Sequence, residues 1–148
     1  MKKLSYSIDI NAPASKVYNT MLAHDSYKTW TAEFNPTSHY EGSWEKGAKI
    51  YFIGIEEDGK RGGMIAEIAE NIPNEYISIR HYGMLDGDKE ITEGPLVEAW
   101  ANSFENYRFT EKDGVTTVNV DVDTDEKYLD YFDSTWPKAL NKLKEICE

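Results

Sequence analysis

The sequence predicts an α+β domain in which a strongly curved antiparallel sheet of six to seven strands wraps a long C-terminal helix, with two short helices after the first strand. Three observations carry this. One strand-like segment and a helix signal open the chain. An almost unbroken run of strand-like segments joined by tight turns fills its middle, and one long amphipathic helix closes it.

At the start, Leu4, Tyr6, Ile8 and Ile10 alternate with Ser5, Ser7 and Asp9, the period of a half-buried strand. Asn11-Ala12-Pro13 reads as a helix start, with Asn as the cap and Pro in the first turn. Val17, Tyr18, Met21 and Leu22 give that helix an apolar face, and His24 to Trp30 reads as a second short helix. Strands are expected near 37–44, 48–56, 62–71, 75–84, 99–110 and 115–123, where Ile, Val, Tyr, Phe, Thr and Trp concentrate. Asp58-Gly59 and Asp113-Gly114 are hairpin signals and Pro73-Asn74 marks a further turn. Such short connections require antiparallel neighbours. The polar segment from Met84 to Glu98 reads as a long loop, more mobile than the strands beside it.

In the last element, Leu129, Phe132, Trp136, Leu140, Leu143 and Cys147 recur at spacings of three and four. Acids gather early and lysines late, as the helix dipole favours. A helix over 125–147 would run roughly 34 Å. Pro137 is expected to kink it, because proline removes one hydrogen bond and crowds the carbonyl of Asp133. Wrapping a sheet round this helix leaves an interior space.

The 148 residues fit one domain spanning 1–148. A net charge of −11 argues against nucleic acid and against anionic membrane surfaces. A single cysteine, Cys147, precludes an internal disulfide. Met1-Lys2-Lys3-Leu4 lacks the apolar run of a signal peptide, and the longest apolar stretch, Ile50 to Ile55, is too short to span a bilayer. The expectation is a cytoplasmic protein with no membrane insertion.

Several stretches together resemble a known family. They are Ile8-Asp9-Ile10-Asn11-Ala12-Pro13 with Val17 and Tyr18; Tyr27-Lys28-Thr29-Trp30; Glu45-Lys46-Gly47-Ala48-Lys49-Ile50-Tyr51-Phe52; and Trp136-Pro137-Lys138-Ala139-Leu140 with Leu143. The chain resembles the START-like superfamily, also called SRPBCC or the Bet v 1-like helix-grip fold. Within it, the chain resembles homologues of the C-terminal domain of the activator of the Hsp90 ATPase. The resemblance covers nearly the whole chain and rests on structural residues, so it specifies fold more than chemistry. It implies a cavity between sheet and long helix, which in the superfamily holds apolar molecules. It equally implies a protein-interaction module, although in the activator a separate N-terminal domain contributes too, for which 148 residues leave no room.

No catalytic signature accompanies it. Asp121, Asp123 and Asp125 alternate like the start of a calcium loop, but the sixth and twelfth positions are Glu126 and Phe132, not Gly and an acid. His24, His39 and His81 lie far apart and suggest no metal site. Asp86, Asp88 and Glu90 sit where nothing would raise a carboxyl pKa. No catalytic residue, metal or cofactor is therefore expected. The binding candidates are polar groups among aromatic strands: Arg80 and Tyr82 on one strand, Asn102 between Trp100 and Phe104 on another. Trp30, Tyr51, Trp136 and Leu140 are candidates for the apolar wall. Sequence alone leaves open which strand face is concave. The reading is a small apolar or aromatic ligand held in the cavity, with a protein partner, a homodimer or a START-like enzyme as alternatives.

Overall fold

The computed structural model describes residues Met1–Glu148. The chain runs β1 (Lys2–Ile10), α1 (Ala14–Leu22), α2 (His24–Thr31), β2 (His39–Gly42), β3 (Lys49–Ile55), β4 (Arg61–Ile72) and β5 (Tyr76–Asp86). It continues through β6 (Lys89–Ile91), the single turn α3 (Pro95–Glu98), β7 (Ser103–Lys112) and β8 (Val115–Thr124) to α4 (Leu129–Cys147). One antiparallel sheet follows the order β1-β8-β7-β5-β4-β3-β2. This is the helix-grip arrangement.

Turn chemistry sets the hairpins. Asp113 and Gly114 take φ of 54° and 80°, so both central residues of the β7–β8 turn are left-handed, the geometry that matches strand twist. Lys112 then faces Val115, and the register carries Tyr107 to Val120 and Glu105 to Val122. Two register shifts between β4 and β5 leave Ala69 and Tyr82 without opposite numbers. Extra residues of this kind bend a strand and increase its twist, which curls the sheet around its inner face.

That inner face meets α4. Trp136, Ala139, Leu140, Leu143 and Cys147 are buried on one side of the helix, in the same cluster as Ile10, Ile77, Ile79, Val118 and Val120. Each large aliphatic chain so buried contributes about 1.5–3 kcal/mol. The helix runs continuously through Pro137. Its N-terminal end is a turn of 3₁₀ helix over Glu126–Tyr128, whose first amide groups include Lys127 N, donating to Asp125 Oδ1 at 3.0 Å.

Three expectations change. Asn11 does not cap α1: Pro13 occupies the cap position, and the Ala14 amide donates instead to Glu111 Oε1 at 2.7 Å. The Asn11 amide is taken up by Glu148 Oε2 at 2.8 Å. The strand expected over 37–44 is confined to His39–Gly42, since Gly42 sits at φ 118°. The polar segment after Met84 is not an open loop. β5 continues to Asp86, and β6 returns along it with Met84 facing Ile91. β6 uses the same edge of β5 that β7 occupies from Tyr76 to His81.

Only three residue pairs hold β6, and α3 is a single turn. Amides over 92–101 are therefore expected to exchange at least about tenfold faster than those of β7, which is paired on both edges. Hydrogen exchange by mass spectrometry measures this directly. Equal protection of the two segments would contradict it.

Candidate functional site

Between α2, the hairpin end of β3 and β4, and the first turns of α4 lies a recess of about 400 Å³, open to solvent. Aromatic rings form much of its wall. Tyr27, Trp30 and Phe34 come from α2 and the loop after it, Phe52 from β3, and Tyr131, Phe132 and Trp136 from α4. The rings touch in sequence: Tyr27 lies 5.6 Å from Trp30, Trp30 6.0 Å from Trp136, and Trp136 5.0 Å from Phe34, centroid to centroid.

The polar part of the wall comes from the sheet. Ile79 faces Glu105 and His81 faces Ser103, which makes His81 and Glu105 diagonal neighbours on the inner face. His81 Nε2 lies 3.3 Å from Glu105 Oε1. The Tyr107 hydroxyl donates to Glu105 Oε2. A carboxylate only accepts, so Nε2 carries the proton in this contact. His81 is 9% exposed, and its Nδ1 has no partner. The Trp136 indole N–H, also buried, has none. Burial first, and then the charge of Glu105, push the hydroxyls of Tyr27 and Tyr107 far above the ordinary tyrosine value. Both stay protonated and can donate. Buried polar atoms are normally satisfied, so the two orphaned nitrogens on this wall are unusual.

The sequence family model described as "Activator of Hsp90 ATPase homolog 1-like protein" matches residues 11–148. The chain belongs to this family. Among solved structures it is similar to the Aha1 dimer from Colwellia psychrerythraea, with 19% identity and a TM-score of 0.73 over 100% of this chain and 97% of that one. Protein Ms6760 from Mycobacterium smegmatis is similar at 17% identity, TM-score 0.71, over 97% and 89% of the two chains. CalU16 from Micromonospora echinospora is similar at 15% identity, TM-score 0.65, over 99% and 76%. At these identities the likeness concerns the fold. Comparison with curated protein sequences yields no match.

In this member of the Hsp90-activator-like family, Trp30 and Trp136 stand on the recess wall, whereas the other sequence candidates lie elsewhere. Arg80 and Tyr82 occupy the outer face of β5, because His81 between them faces inward. Arg80 Nη1 donates to Asn102 Oδ1 at 2.8 Å, its Nη2 is 3.6 Å from Glu67, and it lies over the Tyr82 ring at 5.1 Å. Asn102 holds a left-handed turn at φ 65° and serves Arg80. Phe104 faces Arg80 across the strands on that same outer side. Trp100 follows α3 and donates to the Leu96 carbonyl at 2.8 Å. Tyr51 packs with Ile53, Ile65 and Leu85, an outer cluster, and donates to Glu90 at 2.8 Å. Leu140 belongs to the core and is 2% exposed.

Other groups weighed in the sequence have structural partners. Asp86 pairs with Lys60 at 2.8 Å, which holds its carboxyl below the usual range. His24 stacks on Tyr40 at 4.2 Å. Burial pushes the Cys147 thiol up, so it is a poor nucleophile. Nowhere do three His, Cys, Asp or Glu side chains gather as metal ligands. No helix is long and apolar enough to cross a membrane.

Proposed function

We propose that this protein binds one small aromatic molecule in the recess beneath the start of α4. The observation that carries the reading is a recess whose aromatic wall holds one polar cluster, His81, Glu105 and Tyr107. Small-molecule sites are typically concave, largely apolar and fitted with a few convergent polar groups. A volume of about 400 Å³ suits a guest of two or three fused rings. Anionic guests are disfavoured, because Arg80 is engaged on the other face of the sheet and the recess wall includes Glu56 and Glu105.

Binding rather than turnover is the simpler reading of this site. His81 Nε2 is tied to Glu105, and Cys147 lies roughly 24 Å along α4 from Tyr131. The superfamily resemblance supports a ligand role, and the Hsp90-activator family match supports a protein-interaction role as the second reading.

Titration with a neutral naphthalene alcohol separates the two. Saturable binding to the native protein is expected. Met64→Trp, which places a large ring on the recess wall from β4, should weaken it at least about tenfold with unchanged circular dichroism. No binding by any of several aromatic probes, neutral or charged, would remove the small-molecule reading and leave the interaction module.

A further inference from the structure

We infer that the guest of this recess is a cation, namely an aromatic molecule carrying an ammonium group. The inference rests on the small-molecule reading above and adds the sign of the charge.

No lysine or arginine lines the recess, while two carboxylates do, Glu56 and Glu105. Glu105 is the informative one. Its side chain is only 20% exposed, yet both of its contacts, from the Tyr107 hydroxyl and from the His81 ring, are side chains without a fixed positive charge. Carboxylates removed from water to this degree are normally matched by a lysine, an arginine or a metal. Here no such partner stands on the wall, and each carboxylate oxygen keeps a free lone pair. An ammonium N–H would donate to Glu105 and compensate its charge.

The rest of the wall favours the same sign. Aromatic faces carry negative potential and attract ammonium groups within about 6 Å of the ring centre. Tyr27, Trp30, Phe34, Phe52 and Trp136 line the same recess as Glu105. The net charge of −11 raises the local concentration of cations at the mouth. A neutral guest would leave Glu105 uncompensated, and a carboxylate guest would face like charge in a partly dry site.

Three probes of nearly equal shape test this: 2-(1-naphthyl)ethylammonium, 2-(1-naphthyl)ethanol and 1-naphthylacetate, titrated calorimetrically at physiological ionic strength. The ammonium is expected to bind at least about tenfold more tightly than the alcohol, and the carboxylate more weakly than either. In Glu105→Gln the preference for the ammonium over the alcohol should fall to near one. Ammonium and alcohol binding equally to the native protein would overturn the charge inference and leave the recess as a neutral aromatic site. Failure of all three to bind would overturn both. If Glu105→Gln does not fold, the ammonium-to-alcohol ratio of the native protein decides alone, a ratio near one being the refuting result.

Discussion

Trp136→Ala is expected to lower the free energy of unfolding by about 3–5 kcal/mol, measured by chemical denaturation. The indole is 4% exposed and joins three parts of the molecule. It stacks on Tyr6 of β1 at 6.1 Å and lies 6.3 Å from Tyr107 of β7, 6.0 Å from Trp30 of α2 and 5.0 Å from Phe34. Removing it deletes contacts between α4 and both the sheet and the helix pair. No hydrogen bond is lost, since Nε1 has no partner, so the cost is packing alone. The recess beside the ring lets water into part of the new space, which places the expectation toward the lower end of the range. Trp100→Ala is the internal control. That ring is partly exposed after α3 and should cost less than about 1 kcal/mol. A loss below 1 kcal/mol at Trp136 would mean that the apolar stripe of α4 does not organise the core.

The architecture was readable because its signals are local. Alternation in β1, the Asp113-Gly114 turn and the stripe of α4 each depend on neighbours in sequence, and each has its counterpart in the structure. The short β6 and α3 were not readable, because both are held by β5 rather than by their own pattern. The site was less legible for a related reason. β5 is apolar on both faces: Ile77 and Ile79 point to the core, while Leu85 joins the outer cluster beneath Tyr51 and Tyr82. Alternation then cannot say which side is concave, and the unpaired Tyr82 shifts the register within the strand. Arg80 and Tyr82 lie on the outer face.

β8 carries a clearer signal than β5. In β8, Val118, Val120 and Val122 alternate with Asn119, Asp121 and Asp123, which identifies the inner face without ambiguity. The two-residue turn then carries that face across to Phe109, Tyr107 and Glu105. An inward carboxylate beside an inward tyrosine is therefore deducible from residues 104–123 alone. His81 is not, because β5 and β7 are joined through β6 and α3, and no tight turn sets their register.

Gly63→Ala is expected to destabilise the protein by about 2–5 kcal/mol, combining backbone strain with overpacking. Gly63 lies in the middle of three adjacent strands, facing Ile53 on β3 and Leu85 on β5. Its φ of 146° is one that residues with a side chain rarely adopt. A Cβ there would overlap the Phe52 carbonyl oxygen and stand 2.9 Å from the Phe52 carbonyl carbon. Both are backbone atoms of a paired strand, so relief requires separating β3 from β4. The neighbouring Gly62→Ala is a sharp comparison. The three atoms nearest its Cβ would all belong to the Glu56 side chain, which can rotate into solvent, and its cost should stay below about 1 kcal/mol. The two variants differ by one position in β4 and both line the recess, so the contrast isolates the backbone clash. Displacement of Phe52 should also reshape the aromatic wall. Whatever fraction of Gly63→Ala folds is therefore expected to bind the neutral naphthalene alcohol several-fold more weakly than Gly62→Ala does. Equal denaturation midpoints for the two variants would show that β3 and β4 yield at Gly63 without cost, and the close approach at Phe52 would then have no role in holding the wall.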